Sequence, residues 1–392
     1  IAYKMHLRYN QSQIYRNIRR KEVAGYMQDS YVDNQTERYH AIDIIKVLGL
    51  LFVILYHSAT YQYDWLEDGQ ALFYFRYYFR TILSTCVPLF FFANGYLLLN
   101  KQFDLRKHIV KSIKITVLTV IWGIIGLLVI SQVKGSCFSF KEFVSNLWHW
   151  KPIGWIDHLW YMGALICIYA FFPMIKSVYD NQKKIFYFFT IAAAVFTFCN
   201  TLLAYGGSLF IDLFFNETII SRRNIFNMFN PFRGIYGYSF VYFCVGGIAR
   251  EKENIIINAK HRIGISFSCI IVSCLLLFGL GVFFSNTKGK LWDVVWNGYD
   301  TIFTFINVIC IYALCLGYNG KLPIIKIISC NTLGIYFIHN IIIRLTKEYV
   351  IQIPLVHTVV GNIAYACAVI ILCLSITLII KKIPVLKHLV KL

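Results

Sequence analysis

The sequence predicts an all-α membrane protein: a polytopic transmembrane helix bundle of about ten spans with the N- and C-termini cytoplasmic. Three observations carry that expectation. The 392-residue chain is 58% hydrophobic and 17% aromatic but only 15% charged, where a soluble chain carries roughly 25% charged residues. Apolar runs of about 20 residues, the length that crosses a bilayer, recur along the chain. When these runs are threaded in order, Lys and Arg on the two sides differ by roughly two to one, which is the positive-inside pattern.

The spans fall at 43–62, 81–99, 112–131, 158–175, 185–205, 235–249, 263–284, 299–318, 331–349 and 359–380. They divide the chain into a basic cytoplasmic tail (1–42), a transmembrane domain (43–380) and a short basic cytoplasmic tail (381–392). The first 40 residues are polar and basic, with no apolar core followed by small residues, so no cleavable signal peptide is expected. Their segment "YRNIRRKEVAGYM" fits a short helix on the anionic inner leaflet and fits a solvated tail equally well. The net charge of +19 follows topology, which argues against nucleic acid as a partner and for the lipid bilayer. The 12 cysteines are scattered singly, without a CxxC pair or a Cys/His cluster at ligand spacing. They read as small apolar filler, and no metal site is expected.

The first span, "IDIIKVLGLLFVILYHS" (42–58), carries Asp43, Lys46 and His57 in an otherwise apolar helix. Lys46 and His57 are eleven residues apart, close to three turns, so they share one face about 16 Å apart along the axis. Asp43 lies one turn before Lys46. Ionisable groups at such depth usually face a bundle interior or a polar path.

Later spans break the apolar pattern at three places. "CVPLFFFANGYLLLN" (86–100) has Pro88, expected to break the helix ladder near its outer end, and Asn94-Gly95 deeper in. "WIDHLWYMGALICIYAFFP" (155–173) opens the fourth span with Asp157-His158 and an interfacial aromatic belt. "NTLGIYFIHNIIIRL" (331–345) puts Tyr336, His339, Asn340 and Arg344 on one side of the ninth helix. The expected topology places His57, His158 and Arg344 in the outer half of the membrane and Lys46 in the inner half. That describes a polar channel entered from the cytoplasm and ending among histidines. The outer loop 206–233 adds Arg222, Arg223 and Arg233 among aromatics, candidate acceptor-side residues for a glycan or a lipid phosphate.

At these residues the chain resembles the membrane acyltransferase 3 family, bacterial integral-membrane acyl- and O-acetyltransferases of envelope glycans. The family opens with Asp-x-x-Arg, ten residues and a His; here this is Asp43-Ile-Ile-Lys46, Val47 to Tyr56, then His57. "VPLFFFANGYLL", "HLWYMGALICIYAFFP" and "LGIYFIH" look like three further family blocks, in family order. The resemblance implies transfer of an acyl group, commonly acetyl, from cytoplasmic acyl-CoA to a sugar hydroxyl. His57 is then the catalytic residue and Lys46 the CoA contact, with Asp43, Asn94, His158, Tyr336 and His339 as structural or orienting neighbours. Lys46 stands where the family has Arg, keeping the charge without the bidentate fork. Asn94 stands where it has Ser. The implied co-substrate is acyl-CoA, acetyl-CoA first, without a metal. The implied partners are a glycan or lipid-linked glycan acceptor and polysaccharide-synthesis machinery, at a multi-pass site in the plasma (inner) membrane.

An imidazole titrating near neutrality suits removal of a proton from a sugar hydroxyl as it attacks a thioester, and it also suits a covalent acyl-His intermediate. A secondary transporter or glycan flippase is the alternative, since the same polar path would carry substrate. The near absence of acidic residues from the spans counts against proton coupling. A non-catalytic assembly role in a synthase complex needs no aligned Lys and His.

Overall fold

The computed structural model describes residues 39–68, 70–135, 138–149, 155–215, 234–318 and 322–391. The chain divides into two units, Ile1–His40 and Ala41–Leu392, and the first is described only at Tyr39 and His40. The basic amino-terminal segment and the loop bearing Arg222, Arg223 and Arg233 lie outside the described residues.

All regular structure among the described residues is helical, as lipid requires of open-chain spans whose backbone must satisfy itself internally. In chain order the helices are α1 (His40–His57), α2 (Ala71–Leu99), α3 (Leu105–Lys134) and the short α4 (Phe140–Trp148). There follow α5 (Asp157–Asn181), α6 (Lys183–Phe215), α7 (Gly234–Glu251) and α8 (Arg262–Lys288). The chain closes with α9 (Ile302–Cys315), α10 (Pro323–Ser329), α11 (Thr332–Val350) and α12 (Val359–Lys382).

Seven of these, α1, α2, α3, α5, α6, α8 and α12, are long and apolar enough to cross a bilayer. The pair α10 and α11, bent by 77° at a short break, brings the number to eight if it counts as one span. The other two expected spans coincide with α7 and α9. With 14 residues α9 is about 21 Å long, short of the roughly 30 Å hydrocarbon core. The 18-residue α7 mixes Gly, Tyr and Ser into its apolar run and ends in Arg250-Glu251.

What places α7 is close packing against α2. A Cβ built on Gly95 would lie 1.7 Å from the Phe243 carbonyl oxygen, and one on Gly246 would lie 2.0 Å from that of Phe92. The two glycines let the backbones touch, the small-residue crossing by which helices associate where lipid offers no hydrophobic drive. Asn100 Nδ2 then donates to the Gly247 carbonyl at 3.0 Å, tying the ends of the two helices together.

The α-helical ladder of α2 is interrupted next to Pro88, as expected, although the helix continues: α-helical bonding stops at Thr81, a 3₁₀ turn runs over Ile82–Thr85, and Pro88 falls in the first turn of the α segment Cys86–Leu99. In a first turn the missing N–H has no partner to lose. The helix also begins ten residues before the expected span, because Arg76 and Arg80 depress hydropathy in a stretch that is nonetheless helical. The last residues fold back rather than trail away. Trp122 Nε1 donates to the Leu389 carbonyl at 2.9 Å, and Val390 is buried.

The helix ends follow local chemistry. Asp104 caps α3 by accepting the Lys107 N–H, and Gly135 ends it with φ of 60°. Ser139 and Glu142 form a capping box on α4. The backbone N–H and hydroxyl of Ser139 hold the Glu142 carboxyl below the usual carboxylate range.

Candidate active site

Two helices build most of the site on α1. Lys46 Nζ donates to the Ser329 carbonyl at 2.9 Å, and the Ser329 hydroxyl donates to Asp43. At the other end of the same face the His57 ring lies 5.6 Å from the ring of His339. The stripe carrying Asp43, Lys46 and His57 therefore faces the bent pair α10 and α11 along its length. The break between α10 and α11 is where Asp43 and Lys46 attach. One turn past it, α11 runs with Tyr336, His339 and Asn340 turned inward and buried.

Three histidines meet there. His158, in the first turn of α5, lies 5.0 Å from His339 and 5.2 Å from Tyr336, ring to ring. Asn340 Nδ2 is 3.0 Å from His158 Nδ1, and the Tyr336 hydroxyl donates to the His158 carbonyl. With the Asn340 amide donating, the neutral His158 ring keeps its proton on Nε2. His339 Nδ1 donates to the Tyr336 carbonyl at 2.6 Å, which leaves the lone pair of the neutral ring on Nε2. Both Nε2 atoms are buried without a hydrogen-bond partner. The layer thus holds one ring presenting an N–H and one presenting a lone pair, beside His57.

A cavity of about 390 Å³ leads to this layer. Lys46, Lys111, Lys381 and Lys391 line it, together with Ser329, Tyr169, Phe90, Tyr161 and Tyr336. None of the three histidines lines the cavity itself. The connection runs through Tyr336, whose ring packs 5.6 Å from Tyr161 and 5.8 Å from His339. Asn94 lies on the cavity wall rather than among the histidines. Its Nδ2 donates to the Phe90 carbonyl at 2.9 Å and to the Tyr161 hydroxyl at 3.3 Å, while Tyr169 donates to its Oδ1 at 3.4 Å. Arg344 lies within electrostatic range of His57.

The sequence-derived residues thus fall into two groups. His57, His158, Tyr336 and His339 come together, and Asp43, Lys46 and Asn94 lie along the path leading to them. Lys111, Lys381 and Lys391 were not singled out from sequence. Each sits near the end of an apolar run, where lysines read as topology markers. Among the described residues no group of three or more His, Cys, Asp or Glu side chains has the arrangement to hold a metal ion.

Fold and site together define a polytopic helical membrane protein with a buried histidine layer next to a cavity lined by four lysines. A family model described as an acyltransferase domain, acyltransferase 3, matches residues 39–382, and the chain belongs to that family. Its membership implies a membrane acyltransferase that uses an acyl donor. No curated protein and no solved structure matches the chain.

Proposed function

We propose that this protein is an acyl-CoA-dependent O-acyltransferase, moving an acyl group, acetyl first, from cytoplasmic acyl-CoA to a hydroxyl of an envelope glycan or its lipid-linked precursor. The observation that carries the reading is the continuity from four lysines, through the cavity, to Tyr336 and the histidine layer. The four ammonium groups suit the phosphates of CoA. The cavity suits its extended arm, and the distance of about 16 Å from Lys46 to His57 along α1 separates the two tasks. A ten-span arrangement with both termini cytoplasmic, which is part of this proposal, would put the lysines on the donor side of the plasma membrane and the histidines towards the outer side.

In this reading His57 takes the proton of the acceptor hydroxyl as its oxygen attacks the thioester carbonyl carbon. The carbon–sulfur bond then breaks, and the CoA thiolate leaves with the proton returned from the imidazolium. A two-step route through an acyl-His57 intermediate places the same demand on that ring. The N–H of His158 Nε2 is the donor best suited to the developing oxyanion, and the lone pair of His339 Nε2 suits a partner that orients His57.

The test is transfer of labelled acetyl from acetyl-CoA to envelope glycan by membranes holding equal amounts of wild type and His57→Ala. A fall of about 100-fold or more is expected for loss of a general base; unchanged transfer sinks the assignment. The bent pair α10 and α11 is the feature that favours the transporter alternative. Movement of glycan across proteoliposomes in the absence of acyl-CoA would establish that alternative instead.

A further inference from the structure

Arg80, in α2, is 3% exposed. Its guanidinium carbon lies 4.0 Å from the centroid of the Tyr63 ring and 5.4 Å from that of Tyr56, the residue just before His57. Nη1 has no hydrogen-bond partner. Beside it the Tyr61 hydroxyl is equally buried, interacts with the Arg80 side chain and finds no acceptor for its own proton. Tyr61 packs on Tyr63 with ring centroids 5.9 Å apart, so hydroxyl and guanidinium belong to one cluster.

The nearest carboxylate is committed elsewhere. Asp293 Oδ2 accepts from the Tyr56 hydroxyl at 2.5 Å, and Oδ1 accepts the N–H groups of Val295 and Trp296 at 3.0 and 3.2 Å. Elsewhere in the molecule a structural arginine meets its needs with carbonyls, as Arg262 does with Ala313 and Leu316. A buried guanidinium with an unpartnered N–H loses hydration that nothing replaces, so the N–H is open to an acceptor that enters the site. Such a guanidinium, with a tyrosine hydroxyl beside it, is the complement of a carboxylate or a phosphate. Arg80 also lies within electrostatic range of His57, so an anion bound there would sit beside the reacting end of the path.

We propose that Arg80, with Tyr61, forms an anion-recognising subsite next to His57 that selects acceptors carrying a carboxylate or phosphate. The word acceptor rests on the acyltransferase reading above; anion binding at Arg80 does not.

The experiment measures binding of glucuronate, glucose 1-phosphate and glucose to the full chain in lipid nanodiscs. Wild type is compared with Arg80→Gln, Arg80→Lys and Tyr61→Phe. The wild type should bind at least one of the anionic sugars about tenfold or more tightly than glucose, as expected of a charge-assisted contact. Arg80→Gln should erase that preference, Arg80→Lys should keep part of it, and Tyr61→Phe, which removes one hydroxyl only, should weaken it a few-fold. A preference for glucuronate assigns the subsite to an acidic sugar, and one for glucose 1-phosphate assigns it to a phosphate-linked acceptor. Equal binding of charged and neutral sugars by the wild type overturns the proposal. So does a preference that survives Arg80→Gln; if that variant does not fold, a preference untouched in Tyr61→Phe overturns it. Acetyl-CoA binding in the same discs separates the two ideas: its absence beside an Arg80-dependent preference removes the acyltransferase reading and leaves the anion site.

Discussion

The polar path has two ends, and they treat their nitrogen atoms differently. At the lysine end, Lys46 donates to the Ser329 carbonyl and Lys381 donates to Asn331 Oδ1 at 2.6 Å. These cations rest on internal partners while still lining the cavity. At the histidine end, the Nε2 atoms of His158 and His339 are buried and unpartnered. A charge that binds and releases a ligand needs a resting partner, since a buried bare ammonium is costly. The roles proposed for these two rings, an oxyanion donor and a partner that orients His57, each need a nitrogen left open and a ring held in place by what its other nitrogen bonds. The Asn340 and Tyr336 contacts supply that hold.

Both ends hang on one scaffold, and its failure should have the largest effect. Gly246→Leu drives a side chain into the Phe92 backbone and should cost about 3 kcal/mol or more. Thermal unfolding in nanodiscs should fall sharply, with both donor binding and transfer lost. A variant of wild-type stability would show that α2 and α7 do not cross as described.

Charge removal at the lysine end should separate the two regions. Lys111→Gln combined with Lys391→Gln should weaken acetyl-CoA binding about tenfold, while the transfer rate at saturating donor stays near wild type. A fall in saturated rate with unchanged donor affinity would reverse the assignment of the two ends. The converse change, Asn340→Leu, frees the Nδ1 atom of His158 and should lower the saturated rate a few-fold to about tenfold with donor affinity kept. Loss of donor affinity instead would place Asn340 in the cavity's business rather than the histidine layer's.

The smallest effect belongs to α4, away from both ends. Ser139→Ala removes the capping box and should lower hydrogen-exchange protection over 140–148 without changing transfer. Because Glu142 is held below its unfolded range, its contribution to the cap is present above the unfolded value and is lost as pH falls through the folded one. The variant should be less protected at every pH, because the Ser139 hydroxyl accepts the Glu142 N–H whatever the carboxyl's charge, and the gap should widen above that range, where the hydroxyl also donates to the carboxylate.

Much of this was legible in the chain. The spacing of Lys46 and His57 predicts a shared face, and α1 presents both to the α10 and α11 pair. The blocks around His158 and Tyr336 predict residues near His57, and the three histidines meet there. Pro88 marked the interruption of the α ladder, but the helical stretch before it went unread because Arg76 and Arg80 depress its hydropathy. Lys111, Lys381 and Lys391 were invisible as site residues because nothing local distinguishes a lysine that lines a cavity from one that marks a membrane edge.

Taken alone, the sequence determined that the chain is helical, membrane-embedded and built around a helix with a cation and an imidazole on one stripe. These follow from composition and from the 3.6-residue period, which are properties of neighbours in the chain. Only the tertiary structure decided that His158 and His339 join His57, that four lysines line one cavity, and that Arg80 is buried with an open N–H. Those facts depend on contacts between residues as far apart as Lys46 and Lys391. They are set by how helices cross, as at Gly95 and Gly246, and no local pattern encodes the crossing.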